Sequence, residues 1–571
     1  MTRISRLVAF TLKNAVEHEG KASVKAVVPK VFSSTEVDIL STQAMEAMGY
    51  SEDADIDRGE IAPLVETLVL RINSIALEEQ KKLLGSFSFQ EEKKEKRALL
   101  PPLPGAVRGT VVTRFPPEPN GYLHIGHAKA AFIDYAYAKA YEGRFQIRFD
   151  DTNPLKENGI YYEEQKRDLR ALGLVWDEEL CTSDDMTLLY SYCEKMLARG
   201  CAYVCTCNEE TIKENRGSGS ECDCRGRNAE ENSMLWDRML GERGFRAVVR
   251  LKGDMNSQNT AFRDPTLFRI IDAPHPRQGN RYRVWPTYDF AGAIEDSIHG
   301  VTHAFRSKEY ELRDEVYFRV LECLELRRPI LMEFSRLELE NMPVSKRVLK
   351  PLVDRGEVDG WDDIRLPTIR GLLHRGFMPD AIKEFVLGLG FSKAESMPSI
   401  DILEAINRKL LDPLAKRYFF VPEPVELMVE NAPELTVDLK LHPEKHLGYR
   451  RIETNGHFFV SRKDLSEGEE IRLKDLYNIR IERIEDRAYA SFVSREMKGR
   501  ERKIQWVTEE SFETEVIKSN GLMMDGKVLP LERIRGLLEG AGKEINEGEI
   551  VQFERFGFCR KDRGLFCYTH R

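Results

Sequence analysis

A chain of 571 residues exceeds what one hydrophobic core usually organises, so about three to five domains are expected. Its 42% hydrophobic and 32% charged content fits a well-solvated globular protein. No apolar run approaches the roughly 18 residues of a membrane span, and the first residues lack a signal-peptide core, which excludes a membrane protein and points to the cytoplasm. The net charge of −9 excludes a globally basic nucleic-acid binder, so any contact with phosphate must come from a local basic face.

Residues 1–100 read as a helical domain. Apolar positions recur every three or four residues in VDILSTQAMEAMGY and in IAPLVETLVLRINSIALEEQKKLLG. The charged run EEKKEKR and the prolines of PPLPG then cannot continue a helix, and they mark a linker near residue 105. From Val107 a β-branched run leads into a Pro-rich turn and the helical segment beginning near HIGHAKAAFIDYAYAKAY. The strand RFQIRFDD follows, with later strands at RYRVWPTYDFA and PILMEFSRLELE. This alternation predicts a mainly parallel α/β sheet. Beyond about residue 418 the texture becomes short β-rich runs with turn signals, which predicts barrels or sandwiches.

The most informative stretch is RFPPEPNGYLHIGH, Arg114 to His127. It brings His124, Gly126 and His127 to the start of a helix, where free N–H groups and the helix dipole favour phosphate. The chain contains no GxxxxGK[ST] loop, so this is a phosphate site of another kind. A lone HxGH would say little. Together with RFDDTNP (Arg148 to Pro154) and MPVSKR (Met342 to Arg347), however, the run resembles the class I aminoacyl-tRNA synthetases of the glutamyl and glutaminyl group, from about residue 107 to the carboxyl end.

That resemblance implies a multidomain α/β fold. A Rossmann-like catalytic domain would lie in two halves, 106–200 and 281–340. An acceptor-binding domain would be inserted at 201–280, a signature-loop and helical connecting domain would occupy 341–417, and β-barrel anticodon-binding domains would fill 418–571. It also implies ATP with Mg²⁺ as the nucleotide substrate. His124, His127 and Lys346 would stabilise charge at the α-phosphate and on departing pyrophosphate. Glu118, Pro119, Asn120, Gly126, Arg336, Leu337 and Ser345 match segments lining the nucleotide site. Arg114, Asp150 and Tyr288 match the amino-acid site, with Asp150 holding the α-ammonium. Pro343 and Val344 stand before Ser345, so only the second lysine of the usual loop carries over.

The choice between glutamate and glutamine rests on Arg306, at the end of YDFAGAIEDSIHGVTHAFR, which aligns with the arginine that grips the γ-carboxylate in glutamyl enzymes. A guanidinium fork matches a carboxylate and leaves an amide mismatched. A surface arginine paired with Glu309 or Glu311 is the competing reading. The β-rich tail resembles the anticodon barrels of glutaminyl enzymes and of archaeal and eukaryotic glutamyl enzymes, and an archaeal-type glutamyl enzyme reconciles tail and arginine. The implied reaction joins L-glutamate to tRNA-Glu; tRNA-Gln is a further acceptor that the amino-acid pocket does not decide. A glutaminyl enzyme and a noncatalytic tRNA-binding paralogue are the alternatives.

Cys205-x-Cys207 and Cys222-x-Cys224 offer four thiolates on two turns, a donor set for a structural Zn²⁺, with four reduced cysteines as the other reading. The GSGSE between them reads as a flexible return. For RNA phosphates the candidates are Arg365, Arg370 and Arg375 in WDDIRLPTIRGLLHRGF and the cluster Lys498, Arg500, Arg502 and Lys503, each set equally able to face solvent.

Overall fold

A computed structural model describes the chain except residues 1, 20, 25–26, 28–34, 40–42, 51–54, 57–60, 92–99, 392, 394–396, 498, 500 and 525. Lys498, Arg500 and residues 92–97 of the charged run therefore lie outside the described residues. The chain divides into two compact units, 1–101 and 102–571.

The first unit is built on the helices Ile4–Glu17, Gln43–Met48, Ile61–Asn73 and Leu77–Leu84. Leu7, Val8 and Leu12 of the first helix share a core with Val65, Leu68 and Ile72 of the third, the apolar spacing expected of helix faces. One segment departs from the helical expectation. The first three residues of VDILSTQAMEAMGY complete the strand Thr35–Ile39, paired antiparallel with Phe87–Glu91, and the helix starts only at Gln43. Alternation over five residues suits a ladder as well as a helical turn, and the partner strand decides it.

In the second unit, Val112–Phe115, Arg144–Phe149 and Glu178–Cys181 form a parallel sheet, and His303–Ser307 pairs in parallel with Ile330–Phe334. The two ladders meet at Val112, whose carbonyl accepts the Thr302 N–H at 2.9 Å. Helix Ile125–Ala140 packs on this layer. Ala128, Ala131, Phe132 and Ala138 join one core with Phe145 and Ile147 of the sheet and with Ile382 and Phe385 of helix Pro379–Gly388. Small residues on several sides let this helix sit between two partners.

Between the two ladders lies an antiparallel sheet of Ala202–Cys205, Val248–Leu251, Thr266–Ile270 and Val284–Pro286. The RYRVWP segment thus closes this sheet instead of joining the parallel one. Beyond residue 416 come a six-stranded sheet running from Pro424–Glu430 to Arg502–Ile504 and a seven-stranded sheet that combines Arg417–Tyr418 and Phe420–Pro422 with the last strands, Phe512–Lys518 to Leu565–His570. Among the described residues no helix is long and apolar enough to cross a membrane.

Candidate active site

Open parallel sheets bind ligands beyond the carboxyl ends of their strands, where backbone groups are free and several loops converge. Five strands do so here. Phe115 is followed by Pro116 to Glu118, Phe149 by Asp150, Cys181 by Thr182, Ser307 by Glu309 and Tyr310, and Phe334 by Arg336 and Leu337; all of these line one of three cavities that share Glu118 and Tyr310.

The first cavity, about 260 Å³, is lined by Glu118, Asn120, His124, His127 and Lys346. His124 is not in the helix but caps it. Its Nδ1 accepts the Gly126 N–H at 3.1 Å, and the His124 N–H is accepted by Nδ1 of His127 at 3.2 Å. Both Nδ1 atoms are therefore acceptors, so each neutral ring carries its proton on Nε2 and presents a donor. Burial, the neighbouring imidazole and Arg336 push His124 well below the ordinary histidine range, and burial with Arg336 lowers His127 to about 4. The ring centres lie 3.8 Å apart, with the planes tilted by 36°.

Gly126 is required by its own neighbour. A Cβ there would stand 3.0 Å from Cε1 and 3.1 Å from Nδ1 of His124. Gly126→Ala should therefore shift the His124 ring by a few tenths of an ångström and cut adenylate formation roughly tenfold without unfolding the helix. Pyrophosphate exchange beside a thermal melt would check this, and full activity would count against the placement.

Lys346 opens helix Lys346–Asp354 with Ser345 as its cap residue, although the Ser345 hydroxyl makes no capping bond. Lys346 Nζ lies 5.6 Å from the centre of the Tyr161 ring and flanks Gly121, where a Cβ would stand 3.6 Å from it. No carboxylate pairs with it among the described residues. Burial and Lys350 lower its pKa. Pro119 lines none of the three cavities; its carbonyl accepts the Asn158 N–H at 3.0 Å and holds the turn.

The second cavity, about 290 Å³, is lined by Arg114, Asp150, Tyr288, Arg306, Arg336 and Leu337 together with both histidines. Beneath it lies a charge network. Arg114 Nε and Nη2 donate to Asp296 at 2.8 and 3.1 Å, Arg148 Nη1 donates to Asp296 at 2.6 Å, and Arg148 Nε donates to Asp150 at 3.0 Å. The two guanidiniums hold Asp296 down at about 2 despite complete burial. Asp296, Arg148, Thr182 and Tyr310 were not singled out from the sequence. The available signal was the pair of acids in the otherwise apolar AGAIEDSI, since a charge on a fully buried helix demands a partner.

Arg306 is 4% exposed on strand His303–Ser307. Its Nη2 donates to Asp314 and, at 3.2 Å, to the Tyr310 carbonyl, whereas its Nε and Nη1 are buried without a hydrogen-bond partner. Glu309 is taken by Arg336 and Glu311 by Lys393, so the alternative of a surface pair with either acid does not hold.

A model of the catalytic domain of class I tRNA synthetases (E and Q) matches residues 110–413, and a model of the anticodon-binding domain of the same group matches 415–496. The chain belongs to the class I tRNA synthetases of the E and Q group. The glutamate–tRNA ligase of Cenarchaeum symbiosum is 42% identical over 569 residues, and that of Pyrococcus furiosus 41% over 588, each comparison covering 98% of both chains. A solved glutamate tRNA ligase from Elizabethkingia meningosepticum is 20% identical with a TM-score of 0.42, covering 54% of this chain and 70% of that one.

Two further expectations for this synthetase meet the structure. Arg365, Arg370 and Arg375 are not free for phosphate. Arg365 is bound to Asp363, Arg370 to Asp168 at 2.7 Å and to Glu164, and Arg375 to Glu404 at 2.5 Å and to the Thr569 carbonyl. Arg502 is likewise held by Glu469. Most of the segment between the cysteine pairs is the helix Glu209–Ser218, and GSGSE spans its end, where Gly219 at φ +76° turns the chain back toward the second pair.

The four cysteines do converge. All four sulfurs lie within 4.8 Å of one another, with Cys205 to Cys222 and Cys207 to Cys224 each at 3.9 Å, whereas Cys201 lies outside the group. Tetrahedral bonds of about 2.3 Å require sulfurs about 3.8 Å apart, so the donor set fits zinc. Arg250 Nη1 and the Tyr203 hydroxyl, each 3.9 Å from Cys222 Sγ, would temper thiolate charge.

Proposed function

We propose that this protein is a glutamate–tRNA ligase that activates L-glutamate with ATP and Mg²⁺ and esterifies the 3′-terminal adenosine of tRNA-Glu in the cytoplasm. The observation that carries the amino-acid assignment is Arg306, which lines the cavity that also holds Asp150 and Tyr288 and has two buried nitrogens, Nε and Nη1, without a hydrogen-bond partner. A γ-carboxylate would satisfy those donors while Asp150, on the same cavity, takes the α-ammonium. The α-carboxylate then attacks the α-phosphate of ATP, and the bond to pyrophosphate breaks. Neutral His124 and His127 donate through Nε2 to the phosphate oxygens, and Lys346 follows the charge moving onto pyrophosphate. Glu118, Asn120, Arg336, Leu337 and the backbone at Gly126 shape the nucleotide's side of the cleft.

The third cavity, about 530 Å³, lies between the parallel strands and the antiparallel sheet, and Lys156, Arg216, Arg269 and Arg313 line it. It suits the acceptor end, whose terminal hydroxyl would attack the mixed anhydride from this side and release AMP. Zinc on Cys205, Cys207, Cys222 and Cys224 would pin the edge of that sheet. Stripping it with a strong chelator should raise amide exchange of Ala202–Cys205 about a hundredfold, and unchanged exchange would remove the metal from the account.

The function is tested by supplying ATP, Mg²⁺ and tRNA, then measuring attachment of labelled glutamate and labelled glutamine to purified tRNA-Glu and tRNA-Gln separately. Glutamate on tRNA-Glu is the expected product. Glutamine alone would move Arg306 out of the recognition role, and no product would favour a noncatalytic paralogue.

A further inference from the structure

Helix Ile369–Arg375 starts at the histidine turn, where the Ile369 N–H is accepted by the Leu123 carbonyl at 3.0 Å and the Ile125 N–H by Pro367 at 2.9 Å. It ends on the final hairpin, Gly557–Asp562 and Leu565–His570. There Arg375 donates to the Thr569 carbonyl at 2.9 Å, and the Thr569 hydroxyl donates back to the Arg375 carbonyl at 2.7 Å. Beside this lock stand three groups that the reaction does not use.

His374 Nδ1 lies 2.7 Å from the carbonyl of Asp362, which can only accept, so Nδ1 carries a proton; Nε2 faces Cys567 and Asp562, which raise the ring's pKa to about 10, so an ion would enter in place of the Nε2 proton. A histidine oriented by a carbonyl at one nitrogen is the usual arrangement of a metal ligand. The Nε2 atom is buried, and it has no hydrogen-bond partner. Asp562 Oδ2 stands only 3.0 Å away, too far off the ring nitrogen's axis to form such a bond. Cys567 is 3% exposed and completes the set, with one ligand atom from each of the three residues all within 4.8 Å of one another. The other oxygen of Asp562 faces Arg560 at 3.5 Å, which leaves Oδ2 to the cluster.

We propose that His374 Nε2, Asp562 Oδ2 and Cys567 Sγ bind a divalent transition-metal ion of the zinc type, separate from the four-cysteine cluster. The chemistry of the set selects the ion, since imidazole with thiolate favours zinc and disfavours magnesium or calcium. Bonds of about 2.0 Å to nitrogen and oxygen and about 2.3 Å to sulfur place ligand atoms roughly 3.2–3.8 Å apart, within reach of small side-chain rotations here. The hairpin supplies two ligands across its turn and the helix supplies the third, so the ion joins the C-terminal sheet to the helix that braces His124.

The test is zinc content per chain by elemental mass spectrometry on the full-length protein, Cys567→Ala and Asp562→Asn, each prepared with zinc and freed of loosely held metal. Both variants should carry about one zinc fewer than the parent, whatever the four-cysteine cluster holds, because only the difference is read. Circular dichroism shows whether each variant is folded. Should Cys567→Ala fail to fold, Asp562→Asn, isosteric and at a partly exposed position, decides alone. Metal content equal to the parent in a folded variant overturns the site and makes His374 and Asp562 an ion pair only.

Discussion

Lys346→Ala should lower the rate of glutamyl-adenylate formation by about a hundred- to a thousandfold, the usual effect of removing one charge-stabilising donor from a reacting phosphate. The loss should fall on kcat, with the KM for glutamate nearly unchanged, because Lys346 lines the cavity with His124 and His127 and not the one with Arg306. Stability should hold. The ammonium has no carboxylate partner among the described residues, so its removal strands no charge, and the apolar face of its helix, Leu349 and Leu352, is untouched. Pyrophosphate exchange in the presence of tRNA separates the outcomes. A rise in KM at constant kcat would make Lys346 a ground-state binder, and a fall in melting temperature of several degrees would make it structural.

The local parts of this candidate site were legible in the sequence because the residues lie close together along the chain. His124, Gly126 and His127 lie within one turn, and RFPPEPNGYLHIGH states their spacing outright. What the spacing could not show is that His124 caps the helix through Nδ1, or that Gly126 is required by the ring of His124. The arginines after the lysine loop were misjudged for the opposite reason. Arg370 finds Asp168 some 202 positions back, and Arg375 finds the Thr569 carbonyl 194 positions ahead. An arginine reads as a free cation in sequence until the fold brings its carboxylate to it, because pairing depends on distance in space. The same blindness hid Asp296, which neutralises Arg114 and Arg148 from a helix more than 140 positions downstream. The cysteines escaped it, since their short spacings within each pair, and the helix between the pairs, keep the whole donor set local.

Specificity between glutamate and glutamine can be measured at Arg306. Arg306→Ala should reduce kcat/KM for glutamate by about a hundred- to a thousandfold, since two charge-assisted bonds of roughly 1.5–3 kcal/mol each are lost and the two remaining guanidiniums of the cavity are already paired, Arg114 with Asp296 and Arg336 with Glu309. Glutamine, which leaves the guanidinium unmatched in the parent, should gain or lose little, so the ratio between the two substrates collapses. Arg306→Lys keeps the charge without the fork and should fall between. Asp314→Asn provides the control. It removes the partner that holds Nη2 but leaves Nε and Nη1 without a protein partner and open to substrate, so glutamate use should drop only severalfold. Equal losses for glutamate and glutamine in Arg306→Ala would show a collapsed pocket, not a lost contact. A change confined to the Asp314 variant would mean that the arginine serves the strand His303–Ser307 and not the substrate.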